Sequence, residues 1–146
     1  MWKKILGYLW ASPVTLVGLL YTTAFWALGW HTWVGCHGDG LIWKVNREKS
    51  PRWLNKLWNR WAGHAIGNVV VLNQPYIHDN TTLIHELKHV DQVMRLGVFQ
   101  PIMYGLNLLA IRIGCPGSDP YYSNPFEIDA RRAAGQTIDI EGMYKD

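Results

Sequence analysis

Little in this sequence supports a disulfide framework, a nucleotide site or a nucleic-acid surface. Its two cysteines, Cys36 and Cys115, are too few for a disulfide scaffold and lack zinc-ribbon spacing; they can pair or stay free. There is no glycine-rich phosphate loop, nucleophile elbow, dinucleotide fingerprint or internal repeat. Charged residues make up only 17% of the chain against 49% apolar, which excludes intrinsic disorder. The basic surplus, 14 against 11, is too small to argue for a nucleic-acid partner. At 146 residues the chain builds one modest core.

What charge there is falls unevenly. Residues 1–60 hold eight basic and two acidic side chains, and residues 61–146 hold six basic and nine acidic. All nine tryptophans lie at or before Trp61. Between Ile5 and Gly38 there is no Asp, Glu, Lys or Arg. The run from Leu16 to Trp33 approaches the roughly 20 apolar residues that a membrane span needs, and tryptophans stand at both ends as interfacial belts do. Residues 1–38 therefore read as a membrane-spanning or deeply inserted segment, with Pro13 dividing a short lead-in from one main helix. A cleaved signal peptide fits less well, because the apolar run is long and no small-residue cleavage site closes it. A buried hairpin of a soluble core is the alternative. Residues 39–60 carry six basic and two acidic groups, which mildly favours a cytoplasmic side for the chain beyond the span.

Further along, Cys36–Gly40 reads as a turn and Leu41–Val45 as a short strand. Ser50-Pro51 reads as a cap and first turn of a basic amphipathic helix, with Leu54, Leu57, Trp58 and Trp61 on its apolar stripe. Ala65–Asn73 reads as one valine-rich strand, either central or an edge able to bind an extended peptide. Arg95 and Arg112 enclose sixteen uncharged residues, too few for a comfortable span and expected as a core helix, with an interfacial or re-entrant segment as the alternative. Residues 137–140 suggest a last short strand.

The chemistry lies in His85-Glu86-Leu87-Lys88-His89, an HExxH inside a helical pattern that Asp79, Asn80 or Thr81 can cap and Gly97 can end. Positions i and i+4 share a helix face, so His85 and His89 can reach one zinc ion, with Glu86 beside its open position as a base for water. A catalytic zinc usually takes a third protein ligand. Glu127 is the best candidate, on a helix opened by Asn124-Pro125 and ending near Gly135, although a Glu so close to a cap can also be a capping box. Asp91, Asp129, His78 and His64 are its rivals; Asp91 lies on the motif helix but faces away from His89.

An HExxH followed by a glutamate on a separate helix resembles the gluzincin zinc metallopeptidases. The stretch from Gly63-His64 through the motif to Asn124-Pro125-Phe126-Glu127 is similar to small bacterial and phage-type HExxH proteins with a hydrophobic N-terminus. That resemblance implies an α+β, zincin-like minimal domain over residues 39–146, with a short sheet, the motif helix and a second ligand helix. It implies zinc held by His85, His89 and Glu127, with Glu86 as general base, a peptide or protein substrate, and a place at an inner membrane in contact with lipid. Thermolysin-like enzymes carry a Glu-Asn-x-x-Ser-Asp pattern where this chain has Glu127-Ile128-Asp129-Ala130-Arg131, so the partner that orients the first histidine is unassigned. The oxyanion donor is expected among Tyr122, Tyr121, Tyr104 and His64, with Tyr122 preferred for its place in the loop before Glu127. If zinc only tied the two helices together, the protein would be a non-catalytic membrane-associated one.

Overall fold

The computed structural model describes residues 2–138. The described residues are α+β, as expected: a four-stranded mixed sheet with five α-helices and a short 3-10 helix, Gln74–Tyr76. The order is α1 (Trp2–Ala27), β1 (His31–His37), β2 (Gly40–Val45), α2 (Arg52–Trp58), β3 (Gly63–Ile66), β4 (Val69–Leu72), α3 (Asn80–Leu96), α4 (Phe99–Gly114) and α5 (Pro125–Ala133). Strands lie in the order β1-β2-β4-β3; β2 and β4 are parallel and the outer pairs antiparallel.

Alternation along β4 builds the two core faces. Val69 and Val71 join Trp43, Val45, Leu54 and Trp58 beneath α1 and α2. Val70 and Leu72 join Ile42 and Val90 beneath α3. Burial on both faces explains why β4 is an unbroken apolar run, and each such side chain contributes about 1.5–3 kcal/mol.

Four sequence expectations change. Pro13 does not divide the apolar stretch; α1 is continuous through it. The Leu9 carbonyl that the proline ring leaves without an N–H accepts the Ser12 hydroxyl at 2.7 Å instead. Residues 65–73 are not one strand but the hairpin β3–β4. Ile66 pairs with Val69 across Gly67-Asn68, and Gly67 takes φ +64 as a two-residue turn requires. A Cβ on Gly67 would also sit 2.4 Å from Thr15, so α1 could not dock there. Ser50 does not cap α2: Pro51 holds the cap position, and the Ser50 hydroxyl donates to the Asn46 carbonyl. Finally, α4 is not a core helix. Of its described residues only Gln100 is buried, while Phe99, Ile102, Leu106, Leu109 and Ile113 are exposed.

The α1 helix packs through small residues. Gly7, Ala11, Gly18 and Thr22 form one buried stripe, with Gly7 against Met94 of α3 and Gly18 against Ile66 and Val69. Its other face stays apolar and exposed, including Leu6, Leu9, Leu16, Val17 and Leu20. Asp39, in the β1–β2 turn, pairs with Lys4 at 2.7 Å and accepts from Tyr8 at 2.6 Å. α1 is long and apolar enough to cross a membrane, by length and composition alone. Cys36 and Cys115 are free and exposed. Of the expected last strand, Thr137 and Ile138 are irregular, and the rest lies outside the described residues.

Candidate metal centre

Two capped helices bring the site together. Asp79 caps α3, accepting from the Thr81 N–H at 3.0 Å and the Thr82 N–H at 3.3 Å. Gly97 ends it, its N–H donating to Val93. Asn124 caps α5: its Oδ1 accepts from the Phe126 N–H at 3.1 Å, and its Nδ2 donates to the Tyr104 carbonyl of α4 at 3.2 Å. Asn124 is fully buried, so this cap also locks α5 onto α4.

The trio that the sequence suggested meets in the interior. The Nε2 atoms of His85 and His89 are 3.2 Å apart. Glu127 straddles them, with Oε2 3.3 Å from His85 and Oε1 3.3 Å from His89. Donors placed about 2.0–2.1 Å from one tetrahedral ion stand about 3.3 Å from each other, so the separations match a single small divalent cation. Among the described residues these three alone form such a group; His64, His78, Asp91 and Asp129 do not join it.

Hydrogen bonds on the far side of each ring set its tautomer. Gln92 donates through Nε2 to the Phe126 carbonyl and to Asp129, each at 3.0 Å. Its Oε1 is thus turned to His89 Nδ1 at 2.9 Å, and that nitrogen donates. Gln136 Oε1 does the same for His85 Nδ1 at 2.9 Å. Both Nε2 lone pairs are left facing each other and Glu127. Two buried lone pairs pointed together, with the buried Glu127 Oε2 accepting no hydrogen bond, form a donor set that a cation satisfies. Asp129, a rival for the third position, instead supports the candidate ligand His89 through Gln92, and Gln136 is the partner of His85 that the sequence left unassigned.

Charge reinforces the geometry. Burial opposes ionisation of Glu127, but the imidazoles of His85 and His89 beside it and the Tyr104 hydroxyl hold its carboxyl well below the usual range. Tyr104 donates to Glu127 Oε1 at 2.8 Å, and burial beside that carboxylate pushes its own phenol upward. The Tyr104 hydroxyl is thereby committed to the ligand. Burial lowers His89, while Glu127, helped by Glu86 and Gln92, more than compensates, for a net upward shift. Glu86 is buried and makes no hydrogen bond or ion pair among the described residues; burial pushes its carboxyl up to about 7, against the pull of His89 and His85.

Two clefts reach this centre. A polar one of about 520 Å³ includes His85, Glu86, Tyr122 and Arg131 in its lining. An apolar one of about 540 Å³ runs between α1, α2 and α4 and reaches Glu86, His89 and Glu127. Glu86, Trp61, Gly63 and Tyr121 border both. Tyr122 is 54% exposed, with its ring under the Arg131 guanidinium at 4.1 Å. His64 lines the apolar cleft, not the ligand group.

Comparison with family models, curated proteins and solved structures finds no match. The site therefore stands on its own geometry: a buried His2Glu group able to hold a metal ion. Gln92, Gln136 and Arg131 were not singled out from the sequence. Gln92 and Arg131 had a signal, being three residues from His89 and four from Glu127 on the same helix faces; Gln136 had none.

Proposed function

We propose that this chain is a zinc-dependent metallopeptidase held at a membrane surface. The observation that carries the reading is an unpartnered, buried Glu86 beside three donors 3.2–3.3 Å apart, where two clefts meet. Zinc suits two imidazoles and a carboxylate; when bound, it supplies the charge that makes water acidic near neutral pH and polarises a carbonyl. Glu86 takes a proton from the attacking water and returns it to the leaving amine, work that suits a carboxyl poised near 7. Tyr122, at the polar cleft, is the donor to the developing oxyanion, since Tyr104 is already engaged by Glu127. β3 is the sheet edge nearest the site, and Gly63 approaches so closely that a Cβ there would lie 3.1 Å from Glu86. An extended peptide can add to that edge.

Membrane attachment uses the outer faces of α1 and α4. They meet where Trp10 and Phe99 pack with centroids 6.0 Å apart, and Lys3, Lys4 and Arg112 flank them for anionic headgroups. Because the other face of α1 is packed on the sheet and on α3, the helix lies along the bilayer in this reading rather than crossing it alone.

Purified without chelator, the protein is expected to hold stoichiometric zinc and hydrolyse a casein-type substrate, with hydrolysis lost in Glu86→Gln while zinc remains. Stoichiometric zinc with no Glu86-dependent hydrolysis would make the metal a staple between α3 and α5. Absence of zinc would sink the reading.

A further inference from the structure

Arg131 is a buried cation with no counter-ion among the described residues. It is 8% exposed, and within those residues its guanidinium makes no ion pair and no hydrogen bond. Its contacts are the faces of two tyrosine rings, Tyr122 at 4.1 Å and Tyr121 at 5.5 Å. Stacking of this kind offsets part of the cost of burying a charge but leaves the planar fork of N–H donors without a partner among the described residues. The nearby carboxylates are engaged elsewhere: Asp119 accepts from the N–H groups of Tyr121 and Tyr122, Asp129 takes Gln92 and Lys88, and Glu127 takes Tyr104 and faces the histidines.

Its position suits the fork to a ligand in the cleft. Arg131 is four residues after Glu127 on α5, so the two share a face about one turn apart. It lines the polar cleft with Arg60, where Glu86 is the only carboxylate among the described residues. The opposite cleft, across Glu86 and Gly63, is walled by apolar side chains such as Leu57, Trp58 and Phe25.

We propose that Arg131 is a carboxylate-binding residue of this site, which takes a polypeptide segment that lays an apolar stretch in one cleft and presents a carboxylate to Arg131 in the other. The carboxylate comes from an Asp or Glu side chain or from the segment's own C-terminus. The inference deepens the peptidase reading and rests on it for the word substrate, but the binding is separable from hydrolysis.

The test is therefore a binding measurement on the zinc-loaded, full-length Glu86→Gln protein in detergent micelles. Three peptides share a leucine-rich half: one amidated with Gln in its polar half, one amidated with Glu there, and one with Gln and a free C-terminus. Calorimetry is expected to find at least one carboxylate peptide bound roughly tenfold or more tighter than the neutral one. The arm with the advantage identifies the source. Arg131→Met should erase the advantage and leave the neutral peptide's affinity unchanged, while Arg131→Lys, which keeps the charge without the fork, should retain part of it. Equal binding of all three peptides to the parent protein would overturn the proposal without any need for a folded Arg131 variant. An advantage that survives in Arg131→Met would also overturn it. If the wild type hydrolyses none of the peptides yet the discrimination is present, the peptidase reading fails and the carboxylate site stands.

Discussion

Two pairs of histidines sit in this small domain under opposite chemistry. His85 and His89 on α3 face a carboxylate, and each anchors its Nδ1 on a glutamine oxygen. His31 on β1 and His64 on β3 lie among aromatic rings. His31 is 1% exposed, with Tyr21, Phe25 and Trp58 centroids 5.1–5.2 Å away, and neither of its ring nitrogens has a hydrogen-bond partner among the described residues. Burial, with His64 beside it, pulls His31 down to about 4, and burial does the same to His64. His89, also well enclosed, moves upward because Glu127, with Glu86 and Gln92, outweighs its burial. Burial alone thus makes a histidine a neutral aromatic filler; a buried carboxylate and an oriented Nδ1–H make it a candidate ligand.

The comparison breaks most decisively at Glu127. Glu127→Ala or His89→Ala should abolish stoichiometric zinc in elemental analysis, whereas His64→Ala should leave it intact. The same ligand variants should lose the thermal stabilisation that added zinc gives the wild type, about 2.7 kcal/mol at a free-metal level of about 100 Kd. Zinc retained in Glu127→Ala would remove the distinction between the two pairs.

The aromatic pair should respond to acid. Unfolded His31 titrates near 6.5 and folded His31 near 4, so between those values the unfolded chain binds a proton that the native one refuses. Stability should therefore fall as pH drops from 6.5 and level off below 4, by about 3 kcal/mol for this residue. Denaturant titrations across that range should show a shallower slope in His31→Phe, which keeps a ring among Tyr21, Phe25 and Trp58; an unchanged slope would mean that the cage does not discharge the imidazole.

A finer probe is the ring support. Gln92→Leu removes the acceptor of His89 Nδ1 but no ligand, so zinc affinity should fall about 10–100-fold in a competition titration with the fold kept. Affinity equal to wild type would separate metal binding from that hydrogen bond. The smallest effect belongs to the scaffold: Asn124→Ala removes the α5 cap and should cost about 0.5–2 kcal/mol in urea unfolding, with zinc weakened only through Glu127.

Much of the site was legible because helix periodicity is local. His85 and His89 one turn apart, Asp79 and Gly97 at the ends of α3, and Asn124-Pro125 opening α5 all act within a few residues of chain. The hairpin was missed although Gly67-Asn68 between two apolar runs was its signal, because nine consecutive residues with few breaks read as one strand. Pro13 misled because the rule about a lost N–H holds until a neighbouring hydroxyl takes up the freed carbonyl, as Ser12 does. The α4 helix misled because apolar composition alone does not distinguish a helix facing a core from one left uncovered.

The sequence by itself determined the α+β class, the two helices of the candidate centre and the shared face of His85 and His89, since spacing and capping are short-range properties. Only the tertiary structure decided that Glu127 rather than its rivals joins the two histidines, which glutamines orient them, and that Arg131 meets no counter-ion among the described residues. Those outcomes depend on which side chains arrive from distant elements and what dielectric they meet, and such encounters are not written in any local window of sequence.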